Sequence, residues 1–259
     1  MPGYLAICAI YQNEASYLRE WIEFHALVGI ERFFLYDHES TDGSEELLAP
    51  YVAEGLVVNR YWPVDPGQME AYDDCVAEHG SDWRWIAFID LDEFLFSPKG
   101  APVPEVLRRF EHVPGVGVPW AVFGTSGHKA RPHGLVIENY TMRANRPRRP
   151  TQFKSIVDPR RVVRARGPHV FIYQDRASFE TVPRFVTFDE LRVNHYWTKS
   201  EEELVAKLSK VRADTGGDPL IPAERALEVT REGVHDGAIL QYAPGVREAL
   251  AAREAAPKA

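Results

Sequence analysis

WIAFIDLDEF, residues 85–94, decides the reading of this chain. Trp85 to Ile89 is an apolar run of strand length, and Asp90, Leu91, Asp92 and Glu93 follow it directly. A continuous apolar run marks a strand buried on both faces. Carboxylates leaving such a strand crowd like charges at a mouth shielded from water, which is unfavourable without a counter-charge. A divalent cation, Mn²⁺ or Mg²⁺, relieves the crowding through oxygen ligands. It can also neutralise a diphosphate leaving group. An isolated Asp-x-Asp is common in acidic loops, so its weight rests on what precedes it.

Three β-α units precede it. Leu5 to Tyr11 reads as a buried strand, and Ala15 to Val28 as a helix with Leu18, Trp21, Ile22 and His25 on one face. Phe33 to Tyr36 is a second strand. Ser44 to Glu54 is a helix with Ser44 as its expected N-cap. Leu56 to Arg60 is a third strand and Gln68 to His79 a third helix. This alternation predicts a mixed, mostly parallel α/β sheet flanked by helices. Ligands of such sheets bind outside the carboxyl ends of the strands. That rule brings together Tyr11 to Glu14, Asp37 to Asp42 and Asp90 to Glu93. Asp37 can equally form an ordinary Asx turn. Neither GxGxxG nor GxxxxGK[ST] is present, so side chains and metal, not a glycine cradle, would hold a nucleotide.

The second half is less regular. Val116 to Phe123, Leu135 to Arg143 and Val162 to Tyr173 read as strands, and Gly124 to Gly134 and Thr215 to Pro222 as loops. Glu201 to Arg212 reads as a helix capped by Ser200. One domain is expected over residues 1–245, with a nucleotide-binding half to about residue 95 and an acceptor half after it. Residues 246–259, rich in alanine and charge, read as a tail. Asn194-His195-Tyr196 with Lys199 forms a second polar constellation. His195 is the expected third metal ligand beside Asp90 and Asp92, with His169 as the alternative.

Composition narrows the classes. The chain has 259 residues, 45% of them hydrophobic and 26% charged, as in ordinary globular proteins. A net charge of -8 argues against general affinity for nucleic acid. Arg143 to Arg149, continuing to Arg166, is a local basic stretch that fits a phosphorylated ligand or a solvated face. Cys8 and Cys75 read as buried thiols in a reducing compartment. The opening apolar run is far shorter than the ~20 residues needed to cross a bilayer. A cytoplasmic protein without a spanning segment is expected, with room for peripheral association at the inner face of a membrane.

Asn13-Glu14, Leu18, Glu20-Trp21-Ile22, His25, Gly29, Tyr36-Asp37, Ser40, Asp42 and Asp90-Leu91-Asp92-Glu93-Phe94 together resemble glycosyltransferase family 92, formerly a domain of unknown function, and its bacterial relatives. Phe123 to Gly127, Lys154-Ser155-Ile156, Asn194-His195-Tyr196 and Lys199-Ser200 extend the resemblance over residues 4 to 245. It implies a GT-A type fold, a Mn²⁺-type metal site and a nucleotide-sugar donor, often UDP-linked. Described members transfer galactose with inversion, which implies a hexosyltransferase acting on a saccharide or glycolipid. The expected donor contacts are Tyr11, Asn13, Glu14, Asp37, Gln68, Asp90, Lys154 and Lys199. A bacterial setting in surface polysaccharide or glycolipid assembly is expected, without the anchor and stem of eukaryotic members.

Inversion needs a carboxylate base near the acceptor hydroxyl. Glu138, Asp158, Glu180 and Asp189 are the candidates. Three rival readings exist. A phosphatase with an Asp-x-Asp nucleophile would carry that motif near its N-terminus. A sugar nucleotidyltransferase would open with a glycine-rich, arginine-containing loop. A non-catalytic carbohydrate binder on a decayed transferase fold would stack sugars on the 6 Trp and 11 Tyr.

Overall fold

The computed structural model describes residues 3–145, 152–175, 178–180, 184–208 and 233–255. Its first strand, β1 (Gly3–Tyr11), lies parallel to β2 (Arg32–Asp37) on one side and β4 (Trp83–Phe88) on the other. β3 (Val57–Tyr61) extends β2, again in parallel. The apolar run of β1 follows from its two buried faces. Leu5, Ile7, Ala9 and Tyr11 enter a core with Trp21 and Leu48, while Ala6, Cys8 and Ile10 enter another with Tyr72 and Phe171. Helices α1 (Ala15–Leu27) and α2 (Ser44–Ala53) supply residues of the first core, and α3 (Gln68–His79) of the second. Both cysteines are buried and free.

Beyond β4 the sheet becomes mixed. β5 (Glu93–Phe96) leaves the acidic motif, and β6 (Gly115–Val122) follows. A short strand β7 (Met142–Ala144) precedes β8 (Phe153–Val157), which inserts antiparallel between β4 and β6. β9 (Val162–Gly167) and β10 (Val170–Asp175) form a hairpin beside α3. β11 (Ser178–Glu180) continues that hairpin sheet and β12 (Arg184–Phe185) flanks β6. β13 (Arg192–His195) joins β6 in parallel and β5 antiparallel. The main order is β3-β2-β1-β4-β8-β6-β13-β5. This is the mixed, mostly parallel α/β sheet expected, and it runs through both expected halves.

Three local expectations are corrected. Leu135 to Arg143 is not one strand: Val136–Asn139 is a helical turn, α5 in chain order after α4 (Val103–Leu107). The Glu20 carboxylate explains it, accepting the amides of Val136 at 2.8 Å and Ile137 at 3.1 Å. Ser44 is the first residue of α2 rather than its cap; Gly43 precedes it at φ 82°. Of the expected tail, residues 246–255 are helical. After α6 (Glu201–Leu208), helix α7 (Ala243–Ala255) packs on α1, burying Val246 and pairing Arg253 with Glu23 at 2.8 Å. The Thr215 to Pro222 loop lies outside the described residues.

His25 ties α1 to the acidic edge. Its Nδ1 bonds the Trp21 carbonyl at 2.8 Å, and its Nε2 accepts the Leu95 amide at 3.1 Å. Trp21 Nε1 donates to the Glu93 carbonyl at 2.8 Å. Burial holds the His25 imidazole down at about 3. An unfolded histidine titrates near ~6.5, so between these values the unfolded chain binds the extra proton. Stability from this group is therefore full above about 6.5 and falls by ~1.4 kcal/mol per unit on acidification. Urea unfolding at stepped pH should show wild type gaining on His25→Leu by about that slope from pH 5 to 6.5. A difference independent of pH would refute a neutral, buried His25.

Candidate active site

The polar loops after β1, β2 and β4 open on one side, as the strand-end rule requires. Asn13 stitches two of them together. Its amide donates to Ser40 Oγ at 2.9 Å and its Oδ1 accepts the Thr41 amide at 2.8 Å, at a left-handed φ of 56°. Asp37 Oδ1 accepts the Ser40 amide at 2.9 Å, which is the Asx-turn alternative. Beside these loops lies a cavity of about 530 Å³. Of the expected donor contacts, Tyr11, Asn13, Glu14, Gln68, Asp90 and Lys199 line it, whereas Asp37 and Lys154 do not.

The acidic motif divides its labour. Asp90 accepts from Lys154 Nζ at 2.7 Å and Gln68 Nε2 at 3.1 Å. Lys154 is wholly buried and also lies 3.5 Å from Glu93 Oε2. Its charge is met by these two carboxylates. Asp92 turns the other way. Its Oδ2 lies 3.4 Å from His195 Nε2 and pairs with the Lys207 ammonium. Burial pushes the Asp92 carboxyl up, but Lys207 and His195 outweigh it and leave it well below the carboxylate range. Burial raises Glu93, against the pull of Lys154.

Among the described residues, the group able to hold a metal is Asp92, Glu93 and His195, with one candidate ligand atom from each within 4.8 Å of the others. Asp92 and His195, two of the three expected ligands, lie together, and the third residue of this group is Glu93 rather than Asp90. Glu93 Oε1 and His195 Nδ1 are buried without a hydrogen-bond partner. The Asp92 carboxylate and the Nε2 of His195, 3.4 Å apart on the cavity wall, are an oxygen and a nitrogen donor that fit a divalent cation. His169, the alternative ligand, also lines the cavity but is not part of this group; its ring lies 4.9 Å from that of Trp120, and burial, with help from Lys154, holds it down at about 4. The other face of the site meets the same indole, 4.5 Å from His195.

Lys199 lines the cavity at φ 47°, its Nζ 3.6 Å from Glu14 and 3.4 Å from the centre of the Tyr17 ring. Burial lowers its pKa, against Glu14. Of the base candidates, Glu138 pairs with Arg247, Asp158 binds Arg84 at 2.8 Å, and Asp189 is exposed; none of the three lines the cavity. The Glu180 side chain lies outside the described residues. Sequence reasoning missed Trp120 and Glu203, both of which line the cavity. Glu203 did carry a signal, the Ser200-x-x-Glu203 capping box: Ser200 Oγ donates to it at 2.6 Å and accepts its amide at 3.3 Å.

A model of glycosyltransferase family 92 matches residues 4–217. The chain belongs to glycosyltransferase family 92. A family 92 protein of Oryza sativa subsp. japonica is 36% identical over 159 residues, covering 60% of this chain and 27% of that protein. One of Ricinus communis is 28% identical over 224 residues, covering 82% and 39%. A galactan beta-1,4-galactosyltransferase of Arabidopsis thaliana is 29% identical over 115 residues, covering 39% and 23%. The chain thus spans about a quarter to two fifths of these relatives' length. They are plant proteins, which overturns the bacterial setting expected from the sequence. Solved structures similar to it include S. aureus TarS 1-349 in complex with UDP, at TM-score 0.42 and 11% identity, covering 61% of this chain and 47% of that one. No helix among the described residues is long and apolar enough to cross a membrane.

Removing one member of a buried charge cluster strands the rest, at ~3–5 kcal/mol. Lys154→Met should lose about that much in urea unfolding, and Lys154→Met with Asp90→Asn should recover part of it. A single-variant loss below ~1 kcal/mol would show that Lys154 does not hold the cluster together.

Proposed function

We propose that this family 92 chain transfers a hexose from a UDP-sugar to a saccharide or glycolipid acceptor, with inversion, using Mn²⁺ or Mg²⁺ at Asp92 and His195. The observation that carries the reading is the cavity beside the acidic motif, where these two side chains meet below an open mouth. A bound cation would supply positive charge to the departing diphosphate. The protein's own groups do the rest. Lys199 and Lys207 add two ammonium groups on the cavity wall, and Lys offers phosphate a point charge. Trp120 and Trp197 offer aromatic faces to a sugar ring. A glycolipid acceptor would bring the protein to a membrane surface.

The acceptor hydroxyl must lose its proton as it attacks, and Glu203 is the carboxylate that suits the task. Burial raises its pKa, and its Oε1 has no partner, while Oε2 accepts Tyr140 OH at 2.9 Å. The other cavity carboxylates are paired with lysines: Glu14 with Lys199, Asp90 with Lys154 and Asp92 with Lys207. Glu203→Gln keeps the helix cap and should lower kcat at least ~100-fold with little change in KM. An unchanged kcat would remove Glu203 from the role.

Donor class and metal are tested together by thermal shift with UDP, GDP, CDP and dTDP, each with and without Mn²⁺. A ligand at a hundred times its Kd stabilises the fold by ~2.7 kcal/mol. The expected result is a shift with UDP that requires Mn²⁺ and disappears in Asp92→Asn. A shift that survives chelation would refute the metal site. No shift with any nucleotide would favour a non-catalytic carbohydrate binder.

A further inference from the structure

Two buried polar atoms face each other without partners. Glu93 Oε1 and His195 Nδ1 are both sealed from solvent and unbonded, 3.9 Å apart. Sheet register puts them there: Glu93 of β5 and His195 of β13 are direct antiparallel partners. Such cross-strand neighbours project on the same face. The other ring nitrogen, Nε2, lies 3.4 Å from Asp92. The two nitrogens of an imidazole point away from each other, so one ion cannot sit against both. Asp92 and His195 line the cavity, while Glu93 is wholly buried behind them.

We propose that Glu93 is a positioning residue rather than a ligand: its Oε1 accepts the Nδ1–H of His195 and turns Nε2 toward Asp92 and the cation. The proposal rests on the metal reading of the site given above. Metal-bound histidines commonly donate their second nitrogen to a carboxylate, which fixes tautomer and ring orientation. With a cation on Nε2, the one N–H of the neutral imidazole is on Nδ1, the nitrogen that faces Oε1. A movement of about 1 Å brings the pair to hydrogen-bond distance. The rest of Glu93 is already anchored, because Oε2 accepts the Asp90 amide at 2.9 Å and lies near Lys154. Trp120, packed on the imidazole at 4.5 Å, restricts ring rotation.

Mn²⁺ titration followed by electron paramagnetic resonance tests this in wild type, Glu93→Gln and Asp92→Asn. Glu93→Gln should weaken Mn²⁺ binding ~10–100-fold while the histidine nitrogen coupling to Mn²⁺ persists. Asp92→Asn should abolish binding. Unchanged affinity in Glu93→Gln overturns the positioning role and leaves the metal site standing. Loss as complete as in Asp92→Asn makes Glu93 a ligand and overturns it as well. Absence of Mn²⁺ binding in wild type sinks the metal reading itself, and the inference with it. A measurement on wild type covers the case in which the variant does not fold. In the Mg²⁺ complex, ¹⁵N spectra with His195 assigned through His195→Gln should place its proton on Nδ1; a proton on Nε2 overturns the proposal.

Discussion

The buried ammonium of Lys154 is the constraint on which the site depends. Taking a lysine out of water costs several kcal/mol unless its charge is met. Two neighbouring carboxylates are unfavourable for the opposite reason. Lys154, at 2.7 Å from Asp90 and 3.5 Å from Glu93, offsets both at once. The topology follows from the same need. Lys154 is carried by β8, which runs antiparallel to β4 and β6, so the start of β8 lies beside the carboxyl end of β4, with Ser155 opposite Phe88. The place where the sheet stops being parallel is therefore the place where the acidic motif is neutralised. Asp92 is left outside this arrangement and faces the cavity.

The parallel half was legible because its signals are local. The apolar runs of β1 and β4, the turn after each, and the helical face of α1 are all contained in about ten residues apiece. Asp92 was legible because it follows the apolar run of β4, and His195, the last residue of β13, because it stands in the polar run Asn194-His195-Tyr196. What failed was what depends on distant partners. Val136 to Asn139 looks extended, and becomes helical because the Glu20 carboxylate, more than a hundred positions earlier, accepts two of its amides. Lys154 was expected among the donor contacts, and nothing in its sequence neighbourhood shows that Asp90 and Glu93 pair with it. Glu93 looked like a bystander to the Asp-x-Asp motif. Its importance comes from pairing across β5 and β13, strands separated by nearly a hundred residues.

Two of the cavity's polar residues sit in the left-handed backbone region, Asn13 at φ 56° and Lys199 at φ 47°. A non-glycine residue held there costs ~1–3 kcal/mol, so the surroundings must impose it. At Asn13 the side chain itself does so, bonding the loop after β2. At Lys199 the restraint is electrostatic, with Glu14 and the Tyr17 ring holding the ammonium. β13 ends at His195, the chain bends at Trp197 and Thr198, and the left-handed Lys199 comes directly before Ser200, which caps α6. His195 and Glu203 are thereby brought to one cavity although they belong to different elements. A relaxed backbone at this turn would separate the imidazole beside Asp92 from the carboxylate of α6. The strain at Lys199 is thus the local cost of bringing His195 and Glu203 to the same cavity.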